Sequence, residues 1–546
     1  MDRSKVKRRG SSIGPNQPEP KLQKEININA VVVDNGAYSI KVGLSTEAHP
    51  TLVPNCIMKA KAERKRLFIG DQINECRDCS GLYFLLPCER GYITKWDVQK
   101  PIWDYIFSKK VCPIDEYPVV ITQPLFNFNS IQDCMDEIFF EEYEVSSMFR
   151  LNPTDLAYLK YARDHNLPKT TPCIIIDTGF SFTHIIPYIN GNKYLNAIRR
   201  LNVGGKLLTN HLKDIISYRQ YNVMEETYVI NQVKEDTCYV AQDVKKELTI
   251  AAKSGIENNI VRNYVLPDFN NIRRGYILEN NSDTKENEEN CQILRLNNER
   301  FVVPEILFHP SDIGMKSMGI AEAVVKSILC CPKQYQEDLS KNIVVIGGNC
   351  NFKGFKERMM AELRSLLPHL WDVKLYQPED PITYSWDGGK SLLKMTDFKS
   401  CLVTKEEYEE LGSMIIQQRF NSWMTDNSLV EEESQEKNQE NYRYLDWLKG
   451  KTVFGKEDPI DVKDECEQED SLLKAQTNSQ DTGSHNLAEN VDNVQQPAAD
   501  LELKTKASLK NIENTIVKEF DQEKDQPSSN FSMQTELFPF GTGSYL

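Results

Sequence analysis

The chain has 546 residues, of which 40% are hydrophobic, and a formal net charge of -15 at pH 7. This length allows two or more domains with substantial cores, but the hydrophobic share is low for a chain that folds from end to end, so part of it is predicted to be disordered. No apolar run approaches the roughly 18 residues of a membrane-spanning helix, so we expect no membrane contact. The fourteen cysteines lack the spacing of a disulfide framework, so we expect reduced thiols in the nucleus or cytosol.

The chain begins with a polar, basic arm, residues 1–27, which includes the cluster Lys5-Val6-Lys7-Arg8-Arg9. We expect this arm to be disordered, because it offers few apolar residues to bury. A cluster of this kind is typical of a nuclear import signal, but a solvated tail has the same composition, so both interpretations stay open.

A folded core is predicted for residues 28–417, and it opens on the stretch VVVDNGAYSIKVG at 31–43. A buried apolar strand ends at Asp34-Asn35-Gly36, and a second strand follows. Alone, this pattern indicates an ordinary hairpin turn, because Asn and Gly tolerate positive φ. Lys41, in the second strand, adds a point charge that suits a phosphate.

A basic segment follows between residues 54 and 70, with Lys59, Lys61, Arg64, Lys65 and Arg66 in close succession. Clustered Lys and Arg suffice for contacts with DNA phosphates. A solvated basic loop fits the same run of charge, so DNA contact is one of two interpretations.

The first hairpin has a second copy at 173–188, which reads CIIIDTGFSFTHIIPY. It repeats the plan of apolar strand, Asp, one variable residue, Gly and second strand around Asp177-Thr178-Gly179. Two such hairpins predict two related lobes that face each other across a cleft. Backbone N–H groups at the glycine turns could approach phosphate oxygens, and Asp34 and Asp177 could hold the hydration shell of Mg²⁺.

A third glycine turn follows the strand in NIVVIGGNCNFKGF, residues 342–355, at Gly347-Gly348. Paired glycines at a strand end let a flat or anionic ligand lie against the backbone.

Throughout the core, strand-like runs alternate with helical patterns such as 354–366, which predicts an α/β fold with mixed sheets. A polar segment near 270–293 is best explained as an insertion loop.

Residues 418–546 are predicted to form an acidic, mostly disordered tail, because acidic and polar residues predominate there. Two apolar islands, at 442–448 and 501–520, are either short segments that fold onto a partner or chance clusters.

The three glycine turns together resemble the actin family, and so do RLNVGG at 200–205, KEDTCYVA at 234–241, NERF at 298–301 and SWDGG at 385–389. The resemblance implies a two-lobed, actin-like fold with a central nucleotide cleft, as in sugar kinases and chaperone ATPases. It also implies bound ATP or ADP with Mg²⁺. By this likeness Gly205 would lie near the nucleotide, Lys234 and Glu235 near the adenosine, and Gly347 and Gly348 against ribose and phosphate.

The sequence departs from conventional actin at the place of the terminal phosphate. Ala37 and Tyr38 stand where actin has Ser and Gly, and Phe180-Ser181 replaces Asp-Gly in the second turn. Pro153 falls at the position of the glutamine that orients the attacking water in actin, and proline has no side-chain amide for that task. We therefore expect nucleotide binding with hydrolysis absent or very slow.

Within the family, the sequence is most similar to those of nuclear actin-related proteins. The segments that carry this similarity are FEEY at 140–143, VGGKLLTNHLK at 203–213 and FHPSDIG at 308–314. The likeness implies a scaffolding subunit of a chromatin remodeller that exchanges a variant histone into nucleosomes. Its expected partners are a motor ATPase and a zinc-finger HIT-domain subunit, and its expected location is the nucleus, with the cytoplasm left open.

The short basic segment after Pro54 argues against self-polymerisation. A cytoskeletal filament protein and an active ATPase or phosphotransferase remain the alternatives.

Overall fold

A computed structural model describes residues 29–424, apart from 61–65, 77–81, 115–116, 269–271, 279–290, 396 and 422. Several predictions fall outside those residues: the basic arm, most of the insertion predicted near 270–293, the acidic tail beyond 424 with its two islands, and the basic positions Lys61, Arg64 and Lys65. Within the described ranges, no helix combines the length and apolarity that crossing a membrane would take.

The described strands are β1 (Val31–Asn35), β2 (Ser39–Leu44), β3 (Thr51–Pro54), β4 (Ile57–Lys59), β5 (Leu67–Ile69), β6 (Tyr83–Leu85), β7 (Cys88–Glu89), β8 (Tyr92–Ile93), β9 (Val119–Thr122), β10 (Ser147–Leu151), β11 (Cys173–Thr178), β12 (Thr183–Ile189), β13 (Asn192–Lys193), β14 (Arg199–Leu201), β15 (Arg262–Val265), β16 (Tyr276–Ile277), β17 (Ile293–Leu296), β18 (Ile343–Ile346), β19 (Leu375–Tyr376) and β20 (Val403–Thr404). The described α-helices are α1 (Trp96–Ile106), α2 (Asn129–Glu137), α3 (Pro153–Asp164), α4 (Gly205–Arg219), α5 (Thr227–Thr237), α6 (Val244–Ala251), α7 (Glu299–Glu305), α8 (Ile320–Cys330), α9 (Lys333–Lys341), α10 (Phe355–Leu366), α11 (Tyr384–Leu392), α12 (Phe398–Cys401), α13 (Lys405–Leu411) and α14 (Ser413–Asn421).

Two mixed sheets define two lobes. The first lobe is built on the sheet β20-β10-β9-β1-β2-β3, and the second lobe on β13-β12-β11-β18-β19, with β14 paired to β12. In each lobe an antiparallel hairpin, β1-β2 or β11-β12, lies beside a parallel neighbour, β9 or β18. Both predicted Asp-x-Gly hairpins and the duplication of the α/β plan are therefore confirmed.

The strand that precedes each turn is buried because helices cover both faces of its sheet. Val31, Val32 and Val33 are fully buried, and so are Ile174, Ile175 and Ile176. Runs of β-branched residues without alternation are typical of strands covered on both faces. Burial fixes the ends of β1 and β11, and with them the turns that follow.

The helix predicted after the third glycine turn is also present. Phe355, Met359 and Leu363 follow each other at intervals of four residues along α10, and all three are fully buried. This spacing puts them on one face, which packs into the core of the second lobe.

The packed core extends further than the sequence suggested. The predicted boundary at residue 417 falls inside α14, whose Ile416 is fully buried and whose Phe420 is 6% exposed. The Phe420 ring contacts Phe149 of β10 in an edge-on arrangement, with 5.3 Å between centroids. The change in composition therefore does not coincide with the end of the packed helix α14.

Candidate functional site

The loops that follow β1, β11 and β18 line one cavity of about 600 Å³ between the lobes. A cavity of this size is typical of sites for small molecules and cofactors. The predicted ligand residues on its wall are Asp34, Asn35, Gly36, Lys41, Asp177, Gly179, Gly205, Lys234, Glu235, Gly347 and Gly348. Thr178 alone among the predicted nucleotide-binding residues is missing from this wall.

The first turn is organised around the carboxylate of Asp34. Lys41 lies directly opposite Asp34 in the β1-β2 register, and its Nζ is 3.2 Å from Asp34 Oδ2. Thr122, at the end of β9, donates its hydroxyl to Asp34 Oδ1 at 2.8 Å and accepts the backbone N–H of Asn35 at 3.0 Å. The carboxylate is thus held between a cation and a hydroxyl, with its orientation fixed.

Hydrogen bonds on its buried side hold the second turn in place. Thr178 is fully buried, and its hydroxyl accepts hydrogen bonds from the Thr183 hydroxyl and the Asn349 side-chain amide, both at 3.1 Å. Asn349 Nδ2 also donates to the carbonyl of Gly179 at 2.7 Å, and the N–H of Gly205 donates to that carbonyl at 3.0 Å. Thr178 therefore positions the turn from within the core, and Asp177 faces the cavity.

The two aspartates repel each other. Desolvation, followed by the negative charge of Asp34, raises the pKa of Asp177 to about 7, and Lys41 opposes that shift. A cation between the two carboxylates would remove this repulsion. In the part of the chain that the structure describes, no three His, Cys, Asp or Glu side chains gather as a metal site. An ion held here would take its other ligands from water and from a bound anion.

At the third turn, Gly347 and Gly348 expose backbone without side chains to the cavity. Gly347 has φ of 96°, and a Cβ at this position would lie 2.3 Å from the carbonyl oxygen of Thr178. A Cβ on Gly348 would meet nothing within 4 Å. Gly347 is thus required by the approach of β18 to the second turn, whereas Gly348 leaves open space for a ligand.

Lys234 is buried in the cavity wall, and its ammonium group is hydrogen-bonded to the protein. Its Nζ donates to the Thr209 hydroxyl and the Asn231 side-chain oxygen, both at 2.9 Å, and to the carbonyl of Gly205 at 3.3 Å. An ammonium has three donors, so these three bonds use all of them. The side chain therefore ties α5 to the start of α4, and its neighbour Glu235 also lines the cavity.

The residues that depart from the actin pattern meet across the cavity. The rings of Tyr38 and Phe180 lie 5.2 Å apart between centroids, at an angle of 39°. The phenol oxygen of Tyr38 accepts a hydrogen bond from Asn231 Nδ2 at 3.0 Å. Pro153 lines the same cavity as the first residue of α3.

Three important residues were not identified from the sequence: Thr122, Asn231 and Asn349. Thr122 follows the apolar run of β9, which is where polar ligand-binding residues occur in parallel sheets, so a signal existed. Asn231 precedes Lys234 by one helical turn and shares its face. Asn349 follows the paired glycines directly, but nothing local indicates that its amide would hold the second turn.

Lys59 and Arg66 are the two described members of the basic segment, and neither lines the cavity. Lys59 ends β4 with its side chain exposed. Arg66 forms an ion pair with Glu75 and lies over the ring of Phe68 at 4.7 Å. Any contact they make with DNA would be separate from the cleft.

Comparison with known proteins agrees with this geometry. A family model described as Actin matches residues 25–421. The chain belongs to the actin family. An Actin-related protein 6 from Drosophila melanogaster is 47% identical over 397 residues, which are 72% of this chain and 100% of the relative. Proteins of the same name from Arabidopsis thaliana and Dictyostelium discoideum are 35% and 32% identical, over 72% of this chain and 99% and 94% of their own lengths.

The residues of this actin-family cleft fit a nucleotide with a divalent ion. Lys41 and the glycine turns suit phosphate oxygens, and the repulsion between Asp34 and Asp177 suits a cation. The open space beside Gly348 leaves room for a sugar or base. Residues 422–546 lie outside the family match, so the resemblance carries no prediction for them.

Proposed function

We propose that this chain is a non-catalytic, nucleotide-binding subunit of a nuclear chromatin-remodelling complex that exchanges a variant histone into nucleosomes. Its partners would be a remodelling motor ATPase and a zinc-finger HIT-domain subunit, with the nucleosome as the shared substrate. Membership of the actin family and the extended similarity to proteins named Actin-related protein 6 support this proposal.

The nucleotide would act as a structural ligand that joins the two lobes. Asp34 and Lys41 belong to the first lobe, and Asp177, Gly205 and Gly348 to the second. Bound ATP or ADP with Mg²⁺ would supply negative phosphates and a divalent charge that both sets of residues contact. Because such a ligand binds only the folded cleft, it would stabilise the relative orientation of the lobes, and so the surface that they offer to partners.

The contact between Tyr38 and Phe180 is the observation that carries the non-catalytic part of the proposal. Hydrolysis of a terminal phosphate needs a positioned water and polar groups that stabilise the developing charge. By the resemblance to actin, Tyr38 and Phe180 stand in the loops that would contact the terminal phosphate, and their rings are in contact, while Pro153 offers no side-chain donor at the wall. The cleft is therefore suited to holding a nucleotide rather than cleaving it.

Affinity purification tests the proposed assembly. The tagged full chain would be recovered from nuclear extract beside an Asp34→Asn/Asp177→Asn variant, which keeps the shape of both side chains but removes the charges that favour a metal. We expect a remodelling motor and a zinc-finger subunit with the native chain, and reduced recovery with the variant. Recovery of cytoskeletal proteins and no motor would contradict the proposal.

A filament-forming role is the main rival, and sedimentation separates it cheaply. The segment after Pro54 is short and basic, which would bring repeated positive charge into a filament joint. We expect the chain to stay in the supernatant with Mg²⁺, salt and nucleotide at concentrations where conventional actin pellets. A pellet under those conditions would favour the rival.

The basic segment gives the proposal a separate test with DNA. Replacing Lys59, Lys61, Arg64, Lys65 and Arg66 with Ser should weaken nucleosome binding, and the loss should shrink as salt concentration rises, because phosphate contacts release counterions. The exposed Lys374, in an ion pair with Asp372, provides a control substitution. Unchanged binding by the five-residue variant would mean that the segment is a solvated loop.

A further inference from the structure

An aromatic bridge closes one part of the cleft. Tyr38 follows the glycine turn of the first lobe and Phe180 follows that of the second, and their rings are in contact at 5.2 Å between centroids. Asp34, Lys41 and Asp177 lie on the same cavity wall and supply its charged groups. The cavity wall thus combines the charged groups of Asp34, Lys41 and Asp177 with an aromatic barrier, the pair of rings of Tyr38 and Phe180.

Hydrogen bonds hold the barrier in place. Asn231 Nδ2 donates to the Tyr38 phenol oxygen at 3.0 Å and to Glu235 Oε1 at 2.8 Å. Asn231 is 7% exposed, and its own side-chain oxygen accepts hydrogen bonds from Lys234 Nζ and the Thr209 hydroxyl. The phenol is therefore bound to a network inside the second lobe, although Tyr38 belongs to the first.

The chemistry of the barrier opposes an additional phosphate. Tyr38 follows Gly36 by two residues and Phe180 follows Gly179 directly, so a ligand that extends past the two glycine turns would meet these rings, which are already in contact. Their faces cannot donate hydrogen bonds to an anion, so the charge would lose its hydration without compensation. A ligand whose phosphates end at the charged groups meets no such cost.

We propose that Tyr38 and Phe180 make the cleft selective for nucleoside diphosphates over nucleoside triphosphates. This inference rests on the proposed function, because it presupposes that the cleft binds a nucleotide. The chain would then hold a diphosphate from the start, with no step in which a terminal phosphate is lost.

Calorimetric titration of the full chain with Mg·ADP and with Mg·ATP tests the selectivity. We expect Mg·ADP to bind about a hundredfold more tightly than Mg·ATP. In a Tyr38→Ala/Phe180→Ala variant the two affinities should come within about threefold, because the barrier is gone. Tyr38 is 49% exposed, and neither ring belongs to the packed cores of the two lobes, so we expect the double variant to fold.

Two further variants separate the rings from other effects. Tyr38→Phe keeps the ring and loses the bond from Asn231, so it should retain most of the preference for Mg·ADP. Tyr83→Ala removes an aromatic ring that is 63% exposed and lies outside the cavity, and it should bind like the native chain. A preference that survives in the double alanine variant would show that the rings are not its source.

The results also distinguish the two proposals from each other. Equal affinity of the native chain for both nucleotides would overturn the selectivity and leave nucleotide binding intact. Binding of neither nucleotide by the native chain would overturn nucleotide binding itself, and the selectivity with it.

Discussion

Arg200 of the second lobe donates a hydrogen bond to the phenol oxygen of Tyr92 in the first lobe, at 3.0 Å. A second bond from the same guanidinium reaches the backbone carbonyl of Arg90 at 2.6 Å. The guanidinium also lies over the rings of Tyr92 and Phe182, at 5.1 and 4.5 Å. The lobes are thus joined by side chains at this place as well as at the Tyr38–Asn231 bond.

Removing this bridge should loosen the lobes. We expect Arg200→Ala to lower the free energy of unfolding by about 1–2 kcal/mol, chiefly from the loss of the two hydrogen bonds to the first lobe and of the cation–π contacts. Limited proteolysis and the thermal midpoint would both report the change. Arg163→Ala, at an exposed position at the end of α3, is the matched control and should leave both unchanged. Equal behaviour of the two variants would mean that Arg200 adds nothing to the interlobe contact.

The hydroxyl of Thr122 should matter for ligand binding although it was not evident from the sequence. Thr122→Val would take the donor from Asp34 and leave the N–H of Asn35 without its acceptor. We expect the affinity for Mg·ADP to fall about tenfold, since hydrogen bonds to charged groups are worth about 1.5–3 kcal/mol. The measurement is calorimetric titration.

Thr237→Val is the control for that substitution. Both threonines are 2% exposed, but the Thr237 hydroxyl donates to the carbonyl of Val233 on its own helix, and Thr237 does not line the cavity. If Thr237→Val weakens nucleotide binding as much as Thr122→Val does, the effect is one of stability rather than of carboxylate positioning.

Buried His184 should make the protein sensitive to acid. Desolvation, followed by the charge of Arg200, lowers the pKa of His184 to about 3, and its Nε2 has no hydrogen-bond partner among the described residues. Between pH 6.5 and 3 the unfolded chain therefore binds a proton that the native state excludes. The stability from this histidine is present above pH 6.5 and is lost as the pH falls below it.

From pH 6.5 to 5.5 this linkage should lower the free energy of unfolding by about 1 kcal/mol. A His184→Gln variant should show a flatter pH profile of the thermal midpoint over this range, whatever its midpoint at pH 7. His49→Gln, at an exposed position, should keep the native profile. A native-like slope in His184→Gln would exclude this residue as the source.

Hydrolysis should be undetectable in the native chain. With Mg·ATP in excess, we expect phosphate release at the rate of a blank without protein, because Pro153 cannot orient water through a side-chain amide and, under the proposed function, the rings of Tyr38 and Phe180 replace polar groups near the terminal phosphate. Pro153→Gln should not restore release by itself, since the rings remain. Release by the native chain at a rate comparable to that of conventional actin would contradict a non-catalytic role.

Local patterns sufficed to predict the parts of the site that lie within one turn of the chain. Each hairpin is a buried apolar run followed by Asp and Gly, so the sequence alone placed Asp34, Asp177 and Gly179 on opposing turns. The resemblance to a known family then supplied Gly205 and Lys234. All five line the cavity.

Contacts between distant segments could not be predicted in this way. The Thr122 hydroxyl and Asp34 are 88 residues apart in the chain, and Asn231 and Tyr38 are 193 apart. No periodicity encodes such pairs, because they depend on how the sheets pack. Thr178 was predicted to bind nucleotide from its position beside Asp177, and the structure adds that its side chain is fully buried and holds the second turn from within the core.

Thermal unfolding with and without Mg·ADP tests the central claim, that the cleft is a nucleotide-binding site that stabilises the two-lobed fold. At a ligand concentration a hundredfold above its dissociation constant, binding should add about 2.7 kcal/mol to the free energy of unfolding, so the midpoint should rise with the concentration of Mg·ADP. Excess EDTA should reduce the rise, because Asp34 and Asp177 then lack the ion between them. A midpoint that does not move at millimolar Mg·ADP would contradict the claim.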